Sequence, residues 1–248
     1  MPRQARKKSE SGIYHIMLRG INRQVIFEDD EDLSVFLKTI DMYKAEFDCQ
    51  IYAYCLMKNH VHLLIKINND ELHKYMRKVA AKYVYWYNWK YDRVGGLFQD
   101  RYKSEPVEDE GYFLTVLRYI HQNPVKAGIC GSITEYKYSS YNEYIHPRTH
   151  QITDTDFAFS MLSKEQFEIY MNEESQDKCL EIQEIVRVND SKAQAIIREI
   201  SKCNNVAQFQ ALPCDTRNRF LSELKAKGLS VRQIERLTGI NRGLVQKA

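Results

Sequence analysis

The chain has 248 residues, a formal net charge of +3 and six cysteines, long enough for one large core or two smaller ones. No apolar run approaches the roughly 18 residues of a membrane helix. The basic start (Arg3, Arg6, Lys7, Lys8) leads into no apolar signal segment, and the scattered cysteines form no Cys-x-x-Cys pair of a zinc ribbon. A cytoplasmic protein with free thiols and no membrane partner is expected. The charge is uneven: basic at both ends and acidic over residues 154–190, a distribution that suits a polyanion partner. Tyrosine is abundant, with 17 residues against 10 Phe and 2 Trp. A ring with a hydroxyl suits packing against bases, although most of these tyrosines are expected to be structural.

Ile13–Arg19 reads as a first strand, turned by Gly20 and Asn22. The acidic cluster Glu28–Asp32 suits a helix N-terminus, and Leu33, Phe36, Leu37, Ile40 and Tyr43 continue one apolar face to about Phe47. Residues 49–57 form an apolar second strand. Lys58-Asn59 makes a turn too short for anything but an antiparallel neighbour over 60–67. Asn69-Asp70 are expected to cap a helix over about 71–91, with Leu72, Tyr75, Met76, Val79, Tyr83 and Trp86 at helical spacing. Gly95-Gly96 ends that unit, and a short strand follows over 102–107. Strand, helix, strand, strand, helix, strand is the order of an α+β, ferredoxin-like antiparallel sheet with helices on one face.

A further helix is expected from Glu108 to Asn123, stopped by Pro124, with Phe113, Val116, Leu117 and Ile120 as its apolar stripe. Tyr119 and Asn123, four apart, share a face beside that stripe, and His121 points away from both. An α-helical C-terminal region follows, with domains expected at 1–146, 147–214 (a helical linker) and 215–248. In the last of these, Asp215–Ala226 is one helix. Ser230 caps a second, residues 238–241 turn the chain, and a third begins at Arg242. Val231, Ile234, Leu237, Ile240 and Val245 face inward, the pattern of a helix-turn-helix.

The strand His60-Val61-His62-Leu63-Leu64-Ile65 carries the strongest chemical signal. Side chains at i and i+2 share a face about 6–7 Å apart. His60 and His62 can therefore converge on one cation, or can be two partly buried histidines with ordinary partners. Two imidazoles and an amide oxygen leave open positions on a divalent ion, which can take a phosphate oxygen and act as a Lewis acid. A tyrosine nearby can attack phosphorus. Its ordinary pKa of about 10 makes it a weak nucleophile unless a cation favours the phenolate.

Four segments then resemble a known family: Gly12-Ile-Tyr-His-Ile-Met-Leu-Arg-Gly20, Ala53-Tyr-Cys-Leu-Met-Lys-Asn-His-Val-His-Leu-Leu64, Leu97-Phe-Gln-Asp-Arg-Tyr-Lys103 and Arg118-Tyr-Ile-His-Gln-Asn-Pro-Val-Lys-Ala-Gly128. Over about residues 8–145 they are similar to the single-tyrosine HUH (IS200-like) transposases, most nearly the REP-associated tyrosine transposases. The resemblance implies metal-dependent cleavage and rejoining of single-stranded, hairpin-forming DNA through a 5′-phosphotyrosine, with release of a 3′-hydroxyl. By position, it makes Tyr119 the nucleophile on a catalytic helix. His60, His62 and Asn123 become ligands of Mg²⁺ or Mn²⁺, Asn123 standing where many relatives have Gln. It implies a monomer in the REP-associated branch and a homodimer in self-mobilising relatives.

Arg19, Arg23, Arg101 and Lys103 are candidate DNA phosphate contacts. His15 reads as a strand residue of the sheet, and His121 as outward or structural. The alternative function is a non-catalytic DNA-binding regulator using the same sheet and the C-terminal helix-turn-helix. The single tyrosine after the histidines argues against a replication initiator or relaxase.

Overall fold

The computed structural model describes residues 6–175, 177, 179–180 and 190–248; Arg3 lies outside them. Its contacts form two compact units, Met1–Glu181 and Ile182–Ala248.

The first unit contains β1 (Ile13–Arg19), α1 (Asp30–Glu46), β2 (Gln50–Met57), β3 (His60–Lys66), α2 (Leu72–Lys90) and β4 (Lys103–Pro106). The strands pair antiparallel in the order β2-β3-β1-β4, the expected ferredoxin-like arrangement. Strand alternation splits the apolar residues between two layers. Val61, Leu63 and Ile65 join Tyr14, Ile16, Leu18, Phe36, Ile40, Tyr75 and Val79 under α1 and α2. Leu64, Ala53 and Cys55 face the other way, against Phe113, Val116, Leu117 and Ile120 of α3 (Glu110–Lys126).

Local chemistry sets the helix ends. Asp29 and Asp32 form a capping box at α1. Asp109 accepts from the Tyr112 amide, 2.7 Å, at α3. The expected Asn69-Asp70 cap is not formed. α2 has no side-chain cap; Asn69 instead accepts from the Tyr14 hydroxyl and donates to the Ser9 carbonyl. Buried Tyr83 and Tyr144 and half-buried Tyr136 spend their hydroxyls on the backbone carbonyls of Ile26, Tyr52 and Leu56, at 2.6–2.7 Å. That is how the core absorbs so many polar rings.

Two expectations are corrected. Pro124 does not stop α3, which continues through it to Lys126. The missing amide leaves one carbonyl near the helix end without its partner, and the Ala127 amide still closes on Asn123. The first unit also extends well past 146. The free edge of β2 is covered by residues 138–140, with Leu56 N–H to Tyr138 O at 3.0 Å and Ser140 N–H to Tyr54 O at 3.0 Å. Further along that edge, Asp154 takes the Ile51 amide on its carboxylate at 2.9 Å, gives its own amide to Ile51 O at 2.7 Å and pairs with Lys44 at 2.6 Å. An uncovered edge would leave these backbone groups unpaired. After α4 (Tyr141–Ile145) and α5 (Asp156–Phe159), α6 (Lys164–Asn172) buries Phe167 and Met171 in the α3 layer.

The second unit holds α7 (Asp190–Ser201), α8 (Val206–Gln210), α9 (Cys214–Ala226), α10 (Val231–Thr238) and α11 (Arg242–Lys247) around its own core of Ile197, Phe209, Leu221, Leu224, Ile234 and Val245. Among the described residues no helix is long and apolar enough to cross a membrane, and all six cysteines are free.

Candidate active site

The α3 face of the sheet assembles a ring cluster in its middle. His60 and His62 stand on that face of β3 with ring centroids 5.1 Å apart and planes at 87°. α3 crosses above them and sets the Tyr119 ring 5.6 Å from His62, edge-on. Tyr119 is 4% exposed and His62 1%. Asn123 lies one turn beyond Tyr119 and is half-buried.

Several contacts hold α3 in place. Arg118 reaches Glu173 at 3.1 Å and Asp177 at 2.8 Å, its guanidinium stacked on Tyr170. Gln122 donates to the carbonyls of Met171 and Glu173 at 2.9 and 2.7 Å. His121 is fully buried rather than outward, bonded at 2.9 Å to Ser140 Oγ among Tyr141, Tyr144 and Phe167. Burial pushes it down to about 3, so it is a neutral packing residue.

His15 belongs to the cluster, which the sequence reading missed. Its Nε2 lies 2.9 Å from His62 Nδ1, its ring centroid is 5.9 Å from Tyr119, and it is fully buried. The register explains this, because Leu64, His15 and Glu105 are cross-strand neighbours on β3, β1 and β4. The available signal was a polar side chain alternating with Tyr14, Ile16 and Leu18 in an otherwise apolar strand.

Hydrogen bonding and a nearby carboxylate favour one assignment of the ring lone pairs. His60 Nδ1 sits 2.7 Å from Asn59 Oδ1. The oxygen can only accept, so Nδ1 holds the proton and Nε2 the lone pair. His15 Nδ1 is buried without a hydrogen-bond partner, with the Glu105 carboxylate 4.0 Å away. That negative charge favours the proton on His15 Nδ1. His15 Nε2 then accepts from His62 Nδ1–H, and His62 Nε2 carries the lone pair. Burial, then the neighbouring His15 and His60, holds His62 well below the ordinary imidazole range. Burial takes His15 down to about 3. Neutral imidazoles with Nε2 lone pairs are metal-ligand forms, so His60 and His62 have the chemistry of ligands to a divalent ion.

Cations border the cluster. The same register puts Arg19 opposite His60 and Lys103 in the row of Met17 and His62, so both flank the histidines on one sheet face. Arg23 and Arg101 are exposed in the turns after β1 and before β4. Lys126, kept on the helix by its continuation past Pro124, stands 5.4 Å from the Tyr119 ring centroid.

The model of the family described as "Transposase IS200 like" matches residues 8–123, a span that contains β1, the histidine strand, Tyr119 and Asn123. Over residues 8–123 the chain is thus similar to the IS200-like transposases. No curated protein matches the sequence. Among solved structures, a REP-associated tyrosine transposase bound to a REP hairpin is similar over 62% of this chain and 94% of that chain, at 16% identity and a TM-score of 0.51. At that identity the likeness is one of fold. A Deinococcus radiodurans chain described as a transposase aligns over 49% of this chain and 97% of its own at 18% identity, but its TM-score of 0.32 carries no argument. The span 8–123 thus places its histidines, tyrosine and half-buried amide on one side of the sheet, with Lys103, Arg23 and Arg101 exposed and Arg19 half-buried beside them.

Proposed function

We propose that the chain cleaves and rejoins single-stranded, hairpin-forming DNA in the manner of the REP-associated tyrosine transposases, with Tyr119 as nucleophile. The carrying observation is the position of Tyr119, edge-on to His62 at 5.6 Å on a helix anchored by Arg118 and Gln122. Attack of Tyr119 Oη on the scissile phosphorus forms the phosphotyrosine bond and breaks the bond to O3′. The phenolic proton is balanced by the one the departing 3′ oxygen takes up. The bond energy stays in the phosphotyrosine, so the reverse attack rejoins the strand without ATP. Mg²⁺ or Mn²⁺, held by His60, His62 and Asn123, would supply Lewis acidity to a phosphate oxygen. Lys126 adds positive charge beside the tyrosine ring, favouring the phenolate and the charge that builds on phosphorus. Arg19 and Lys103 hold the flanking phosphates, with Arg23 and Arg101 extending the track. The protein acts in the cytoplasm as a monomer or homodimer.

One observation favours the non-catalytic reading: among the described residues, no three His, Cys, Asp or Glu side chains cluster as a metal site. An amide third ligand answers it. The test is incubation with a 3′-labelled hairpin oligonucleotide and Mn²⁺. The wild type forms a labelled covalent adduct and Tyr119→Phe forms none. Equal adducts would overturn the role of Tyr119, whereas hairpin binding without any adduct would establish the binding-only reading.

A further inference from the structure

The second unit contains a feature that strand cleavage does not use. α10 and α11 are joined by Gly239, Ile240 and Asn241, with Gly239 left-handed at φ 67°. Ile234, Thr238, Ile240 and Val245 are buried against Leu221, Leu224 and Leu229 of α9 and the loop after it. Ser230 caps α10 through the Gln233 amide at 3.2 Å, and Asn241 caps α11 through the Gly243 amide at 2.8 Å. This is a trihelical helix-turn-helix, with its inward positions filled by apolar groups and one threonine that bonds its own helix.

The outward face of α11 has the opposite character. Arg242 and Gln246 are four apart, as are Gly243 and Lys247, and all four are exposed, forming one polar stripe. Gly243 adds no side chain to it, and Leu244, 48% exposed, borders it. Asn241 is occupied as a cap, so the residues presented to a partner are Arg242, Gln246 and Lys247. Arginine and glutamine match the major-groove edges of guanine and adenine in bidentate fashion. Charge segregates the same way. Residues 190–248 carry 11 Lys and Arg against 5 Asp and Glu, net +6, whereas the rest of the chain carries 25 against 28, net −3. The entire positive excess lies in the unit with the helix-turn-helix, as phosphate binding requires.

We infer that the C-terminal unit is a second, separate DNA site that binds double-stranded DNA in the major groove and reads a short guanine-containing sequence with Arg242 and Gln246. The substrate class differs from that proposed for the first unit, and the inference does not rest on the cleavage reading.

The test uses the full chain in metal-free buffer and a pool of 30-base-pair duplexes with a randomised core. Repeated selection should enrich a short motif, bound at least about tenfold tighter than unselected duplex by fluorescence anisotropy. Arg242→Ala and Gln246→Ala should each lose about tenfold on that motif while keeping wild-type circular dichroism and melting. The double variant His60→Ala/His62→Ala should bind the motif as the wild type does. Failure to enrich a motif, undiminished binding by both α11 variants, or loss of duplex binding in the histidine variant would overturn the inference. The hairpin adduct assay reports on the cleavage reading independently.

Discussion

His15 and His62 lie on neighbouring strands with their ring nitrogens 2.9 Å apart in a fully buried contact. The bond fixes the His62 ring and leaves its Nε2 as the lone-pair nitrogen, so His15 acts through His62. Removing such a partner from a ligating histidine weakens metal binding by about 10- to 100-fold. His15→Ala should show that loss in Mn²⁺ titration calorimetry, and Glu105→Gln a smaller drop in the same direction. Unchanged Mn²⁺ affinity in His15→Ala would mean that the bond does not orient the site.

Strand phase made part of this site legible. Val61, Leu63 and Ile65 alternate with His60 and His62, and alternation alone puts both imidazoles on one face. Tyr119 and Asn123 were readable as a pair from helical spacing. His15 was not assigned to the site because its partner is 47 residues away, and only the register of β1 on β3 brings them together. The end of the first unit was misplaced for a related reason. What holds residues 138–154 to the sheet is the need of the β2 edge for hydrogen bonds, with the Asp154 amide closing on the Ile51 carbonyl across 103 positions, and a backbone requirement leaves little side-chain pattern. Proline disfavours helix interiors, which is why the sequence predicts a stop at Pro124; near a C-terminus the loss is small enough for the packing of α3 to override.

Arg118 ties α3 to the segment after α6. Its side chain is 12% exposed and it pairs with two carboxylates while stacking on Tyr170. Both partners are more exposed than the arginine, which discounts the ion pairs. With the lost stacking, Arg118→Ala should cost about 1–2 kcal/mol in urea unfolding. It should also slow adduct formation, because the α3 anchor that positions Tyr119 is weakened. Full stability with a slowed adduct would assign Arg118 to the substrate instead.

The cysteines should differ in reactivity. Burial pushes Cys49 and Cys179 up to about 12 and raises Cys55 as well. A raised pKa keeps the thiol protonated, and each unit lowers the thiolate fraction about tenfold at a given pH below it. Cys214 is exposed in the first turn of α9, with the Arg217 guanidinium 3.9 Å from its sulfur. At pH 8, a disulfide reagent such as DTNB should label Cys214 in a fast phase that Cys214→Ser removes. Cys49, Cys55 and Cys179 should label only on denaturation. Fast labelling of Cys55 would show that the β2 edge opens.

Gly239 sets the angle between α10 and α11. Its φ of 67° is one that side chains with a Cβ adopt at a cost of about 1–2 kcal/mol. A Cβ there would also collide with the Gln210 side chain, which donates to the Gly239 carbonyl at 3.1 Å, and would press on Val206 at 3.1 Å. Gly239→Ala should therefore loosen the α8–α10 contact as well as the turn. Hydrogen exchange should show lost protection across 206–248, while 110–126 stays as in the wild type. Binding to a selected duplex should fall while hairpin adduct formation persists, since Tyr119 and the histidines belong to the other compact unit. Lost protection in both regions would show that the two units unfold as one.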